Sequence, residues 1–99
     1  MIRDIIWSPR SKRDYIKLID YLTEEWGQRS SEKFKKRLQK RLHQISVNPM
    51  LYPESNAGMS VRRCVIAKQI TLYYRLKLHK VELITFFDTR QHPSKKNLP

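Results

Sequence analysis

The sequence predicts an α+β domain: an N-terminal strand, an antiparallel two-helix hairpin, then a three-stranded antiparallel meander (β-α-α-β-β-β), with the helices packed on one sheet face. Three observations carry this reading. Between Gln69 and Leu78, Ile70, Leu72, Tyr74, Leu76 and Leu78 alternate strictly with Gln69, Thr71, Tyr73, Arg75 and Lys77, and a period of two is a strand with one apolar face. The runs Val61–Ile66 and Val81–Phe87 flank it, separated only by Ala67-Lys68 and His79-Lys80, which leaves room for hairpin turns and nothing else. The apolar face needs a cover, and only the sequence before Asn48 can supply it.

Ile5-Ile6-Trp7 is β-branched and aromatic and ends at Ser8-Pro9, so the first seven residues are expected to join the sheet as a strand. Ser8 followed by Pro9 is an N-cap followed by N1, where proline's missing N–H costs nothing. Tyr15, Leu18, Ile19, Leu22 and Trp26 then recur at three and four residues, the stripe of an amphipathic helix, with Ile16 and Tyr21 at its flanks. Gly27 takes the C-cap position. Ser30 or Ser31 is expected to cap a second helix, whose apolar stripe is Phe34, Leu38, Leu42 and Ile45 and whose polar face carries Lys33, Lys36, Arg37 and Lys40. Asn48-Pro49 ends it, because a residue before proline is pushed out of the α region. The stretch from Met50 to Ser60, with proline, glycine and asparagine and no periodicity, reads as a loop.

At 99 residues and 39% hydrophobic content the chain suits one domain over 1–99, since such a length buries roughly 65% of its unfolded surface. The tail from about 94 is polar, basic and broken by prolines, and is expected to fray. The net charge of +12 is unevenly spread: residues 1 to 27 are neutral, whereas 28 to 48 and 49 to 99 carry +6 each. A field of this sign favours nucleic acid, a ribonucleoprotein or an acidic protein as partner. Cys64 is the single cysteine, which excludes an intrachain disulfide, and no apolar run reads as a signal peptide or a membrane span. A cytoplasmic protein with no membrane partner is expected.

Little in the chain suits catalysis. His43, His79 and His92 have no metal-site spacing, so no metal is expected, and two glycines in unrelated places make no phosphate loop. Cys64 in a strand reads as a packed thiol. The arginines are more informative: Arg62, Arg63, Arg75 and Arg90 recur across the sheet, and Arg75 shares the polar face of the middle strand with Thr71, Tyr73 and Lys77. Cations beside an aromatic ring suit phosphates, bases or carboxylates. Arg75 and Arg90 are expected near one another, at an end of the molecule rich in positive charge.

Trp7-Ser8-Pro9, Asp14-Tyr15, Ile19-Asp20-Tyr21-Leu22, Trp26-Gly27, Phe34, Asn48-Pro49, Val61-Arg62-Arg63, Tyr73-Tyr74-Arg75 and Asp88-Thr89-Arg90-Gln91-His92-Pro93, in this order, resemble the RelE/ParE superfamily of bacterial toxins of type II toxin–antitoxin modules. The resemblance implies the same α+β fold, no cofactor, and a cognate antitoxin whose C-terminal segment wraps the toxin, with operator DNA reached only through that antitoxin. Tyr15, Ile19, Leu22 and Trp26 of the first helix are the candidate antitoxin contacts. It also implies one of two activities: binding and poisoning DNA gyrase, as in the ParE branch, or cleaving mRNA on the ribosome, as in the RelE branch.

A RelE-like, metal-independent endoribonuclease would draw on Glu54, Arg63, Arg75, Arg90 and His92. However, Thr71 stands where some of those nucleases place an arginine, no tyrosine follows Arg90 and His92, and residues 49 to 60 hold Glu54 but no lysine. The pattern is closer to ParE, with Arg62, Arg63, Tyr73, Arg75, Arg90 and His92 as the target-binding set. A toxin-fold protein that serves only as a co-repressor with its antitoxin is the third reading.

Overall fold

The computed structural model describes residues 2–56 and 60–90. Strand β1 (Ile5–Trp7) leads into helix α1 (Pro9–Trp26) and helix α2 (Gln28–Val47), and strands β2 (Val61–Ala67), β3 (Ile70–Lys77) and β4 (Lys80–Asp88) follow. The four strands form one sheet in the order β1-β4-β3-β2. The meander is antiparallel and β1 adds parallel to β4, with Ile5 opposite Val81 and Trp7 opposite Leu83. Neither helix is long and apolar enough to cross a membrane.

Ser8 is the joint between sheet and helix. Its hydroxyl accepts from the Ser11 amide at 3.0 Å and donates to the Ile84 carbonyl at 3.1 Å, while its own amide donates to the Leu83 carbonyl. The cap that starts α1 therefore also fixes the angle at which α1 leaves the strand. Leu18, Leu22, Phe34, Leu38 and Ile45 from the helices meet Cys64, Ile66, Ile70, Leu72, Tyr74, Val81, Leu83 and Phe86 from the sheet in one core. Each fully buried aliphatic side chain there contributes roughly 1.5–3 kcal/mol.

The helix junction is tighter than the sequence suggests. Gly27 alone separates α1 from α2: its amide donates to the Thr23 carbonyl and its carbonyl accepts from the Ser30 amide. With φ 91° and ψ 164°, it occupies a region open essentially to glycine. Ser30 and Ser31 consequently lie inside α2 and do not cap it; their hydroxyls donate back to the Trp26 and Gln28 carbonyls.

Both hairpin turns sit one residue from their expected places. Lys68-Gln69 joins β2 to β3, and Leu78-His79 joins β3 to β4. Leu78 and His79 have φ of 52° and 65°, the doubly positive pair of a type I′ hairpin turn, whose twist matches that of the strands. Leu78 thus leaves the apolar face on which the alternation places it and becomes a turn tip, 83% exposed.

An extra residue, Ile84, lies between the Tyr74–Leu83 and Tyr73–Thr85 pairs. This bulge changes the phase of β4: Val81 and Leu83 face the helices before it, and Phe86 does so after it. Phe86 then stacks on Trp7, with centroids 5.7 Å apart, and Tyr15 meets Trp7 edge-on at 5.2 Å.

Candidate functional site

The sequence-predicted arginines do not share one surface. In β2 and β3, Val61 pairs with Arg75, Arg62 with Tyr74 and Arg63 with Tyr73. Since Tyr74 is fully buried against the helices, alternation places Arg62 on the helix side and Arg63, Tyr73 and Arg75 on the far side.

Arg62 is engaged locally. Its guanidinium donates to the Tyr52 carbonyl at 2.7 Å and lies 3.8 Å from the Glu54 carboxylate. Glu54 also bridges to Arg62 through the backbone, while the Ser55 amide donates to the Val61 carbonyl and the Arg63 amide to the Pro53 carbonyl. A short piece of the long loop thereby covers the edge of β2, which would otherwise offer unpaired groups to another chain.

On the far face, Arg75 Nε donates to Glu82 Oε1 at 2.7 Å across the β3–β4 pair. Tyr73, placed by the alternation on the polar face, is only 3% exposed; burial pushes its phenol up, with Arg63 acting in the opposite direction. Arg63 is exposed beside it. What this face offers is three exposed cations, Arg63, Lys77 and Lys80, a fourth held by a carboxylate, and a buried ring.

Arg90 belongs to the helix side. It makes a two-pronged contact with Asp88, Nε to Oδ1 at 3.1 Å and Nη2 to Oδ2 at 3.0 Å, and its amide donates to Oδ1 at 2.9 Å. Its guanidinium also lies over the Tyr21 ring, 5.5 Å from the centroid. The hydrogen bonds it donates to Asp88 hold its pKa above the usual arginine value. Because Ile70 pairs with Asp88, the Arg90 end is about 17 Å along β3 from Arg75. The two expected neighbours therefore sit on opposite faces and at opposite ends. His92 lies outside the described residues.

Arg90 instead meets the second helix. With Lys33 and Arg37 it rims a cavity of about 130 Å³ whose floor includes Leu22, Phe34, Ala67 and Ile70. No sequence signal marks this cluster, since its cations come from segments more than fifty residues apart.

The candidate antitoxin contacts divide similarly. Leu22 is 5% exposed and belongs to the core, and the little surface it shows lines the Arg90 cavity. Tyr15 and Ile19 are half-buried and pack against the core, whereas Trp26 is 59% exposed. Ile16, assigned from the sequence only to the flank of the stripe, is 60% exposed and adds to the outward apolar surface of α1. Asp14, singled out for no role of its own, accepts from the Thr85 hydroxyl and the Phe86 amide.

The chemical reach of these groups is narrow. No cluster of His, Cys, Asp and Glu among the described residues could hold a metal ion. Cleavage of RNA needs a base at the 2′-hydroxyl and a cation at the phosphorane within one site. Here Glu54 faces Arg62, Arg75 faces Glu82 and Arg90 faces Asp88.

Residues 5–93 match the family described as the ParE toxin of the type II toxin–antitoxin system parDE. No curated protein matches the sequence. Among solved structures, the chromosomal ParDE toxin–antitoxin system from P. aeruginosa superposes with a TM-score of 0.73 at 11% identity, covering 88% of this chain and 96% of that one. The E. coli DinJ–YafQ toxin–antitoxin complex gives 0.66 at 14% identity, covering 95% and 100%. The YoeB dimer from Staphylococcus aureus gives 0.62 at 16%, covering 88% and 97%. At these identities the superpositions establish a shared fold.

Proposed function

Since the chain belongs to the ParE toxin family of type II toxin–antitoxin systems, we propose that it inhibits growth in the cytoplasm by binding DNA gyrase, and that a cognate antitoxin neutralises it. The observation that supports binding over cleavage is the dispersal of Glu54, Arg63, Arg75 and Arg90 over both sheet faces, with all but Arg63 beside an oppositely charged partner. Groups so placed recognise a surface; they do not surround one scissile phosphate.

On this reading Arg63 and Arg75 contact the target from the far face. The antitoxin segment docks along α1 on Trp26, with the half-buried Tyr15 and Ile19 beneath it. An amphipathic helix laid against an apolar stripe is a common mode of recognition.

The test is induction of the chain in cells, alone and with its antitoxin. The expected result is growth arrest relieved by the antitoxin, with broken or topologically altered DNA and intact messages. Codon-spaced message cleavage that disappears in Glu54→Ala or Arg75→Ala would favour the ribosome-dependent endoribonuclease. No arrest, with antitoxin binding retained, would favour the co-repressor.

A further inference from the structure

The outer face of α2 carries charge that none of the roles above uses. Arg29, Lys33, Lys36 and Lys40 follow one another at four, three and four residues, and all four are exposed. That spacing sets them on a single line along the helix, opposite the buried Phe34, Leu38 and Ile45. At 1.5 Å of rise per residue the line is about 16 Å long. Glu32 is the one carboxylate on α2. The ion pairs among the described residues are Arg10–Asp14, Arg62–Glu54, Arg75–Glu82 and Arg90–Asp88, and none involves α2.

We propose that this line is a contact surface for the sugar–phosphate backbone of a nucleic-acid duplex. Its composition decides against a protein partner: lysine is depleted from protein interfaces, which are anchored by aromatic and other large apolar side chains. Along this face no apolar side chain appears until Val47, at the end of the helix. Lysines are compact point charges, suited to phosphates and poor at reading bases. A rigid helix holds them about 4.5–6 Å apart along its axis, and a duplex presents one negative charge per roughly 1.7 Å of its length. Several phosphates are therefore within reach at once, with no sequence preference. DNA and an RNA helix offer the same chemistry, and the surface does not depend on which macromolecule the toxin inhibits.

The test is binding of the purified full chain to a DNA duplex and to an RNA duplex of the same sequence, by fluorescence anisotropy across a salt series. In Lys33/Lys36/Lys40→Gln the log–log salt slope on DNA should fall in magnitude by about 2.7, or 0.9 per lost phosphate contact. The corresponding lysine-to-arginine triple should keep the wild-type slope, which separates charge from folding. Lys12/Arg13/Lys17→Gln removes the same charge from exposed positions of α1 and should change the slope little. A fall on one duplex alone supports the surface and identifies DNA or RNA as its source. An equal fall in both glutamine triples would reduce the effect to net charge and overturn the proposal. So would a slope unchanged on both duplexes, including one accompanied by lost antitoxin affinity, which would assign the face to an acidic protein.

Discussion

Asp14 Oδ2 accepts a hydrogen bond from the Phe86 amide at 3.3 Å and another from the Thr85 hydroxyl, joining α1 to β4 across more than seventy residues of sequence. Strand β1 ends at Trp7, opposite Leu83, so the backbone of β4 beyond the bulge has no strand beside it on that side. A helix carboxylate takes over where the strand stops. Asp14→Ala leaves the Phe86 N–H without this acceptor and should cost about 1–3 kcal/mol. Asp14→Asn retains a side-chain oxygen and should cost less. Urea denaturation of the two variants checks the order.

The Leu78-His79 turn places two non-glycine residues in the left-handed region, at a cost of about 1–2 kcal/mol each. Replacing the pair by Asn-Gly supplies the residues that this turn favours. The double substitution should stabilise the domain by about 1 kcal/mol or more and raise Tm, which calorimetry would show. Since Leu78 is the most exposed large hydrophobic residue described, no packing is lost.

These two sites show what the sequence makes legible. The alternation along Ile70–Lys77 is readable because one residue type recurs at each pleat, and Ser8-Pro9 because capping chemistry is local. The turn at Leu78 is not readable, because its positive φ values occur without the asparagine or glycine that signals them. Ile84 is hidden for a related reason: a bulge leaves no compositional mark in Val81–Phe87, yet it decides that Phe86 and not Phe87 joins the aromatic cluster. The arginines were recognisable as candidates, but their grouping was not. Arg75 and Arg90 fall on opposite faces through strand parity and register, and the carboxylates that hold them, Glu82 and Asp88, emerge only from the folded arrangement.

Leu22 and Phe34 are 5% and 4% exposed in the shared core of the helix hairpin. Truncating either to alanine removes buried methylenes or a ring and leaves a cavity, so each variant should lose about 2–5 kcal/mol. Lys36→Ala, on the exposed face of α2, should change stability by less than about 0.5 kcal/mol. Overlap between the two classes in a denaturant series would contradict the observed helix registers.

Burial pushes the Tyr74 phenol up from 10.0 to about 12, and the hydroxyl donates to the Pro49 carbonyl at 2.8 Å. The folded state holds this proton more tightly than the unfolded state does. The resulting stability is present below pH 10 and is lost as pH rises through about 12. Tyr15, Tyr52 and Tyr73 shift in the same direction through burial, so Tyr74→Phe should reduce the alkaline loss without abolishing it. At neutral pH the same substitution should cost about 1 kcal/mol for the missing hydrogen bond. Urea midpoints of both proteins at neutral and alkaline pH separate the two effects.

Whether the toxin acts by occupying its target is measured directly by gyrase-catalysed supercoiling of relaxed plasmid with purified components. Added chain should inhibit supercoiling or trap cleaved DNA in a dose-dependent way, and prior addition of the antitoxin should restore activity. Arg63→Ala/Arg75→Ala should inhibit less while still binding the antitoxin. Undiminished supercoiling at every dose, alongside message cleavage on programmed ribosomes by the same preparation, would contradict the account and identify the chain as a nuclease.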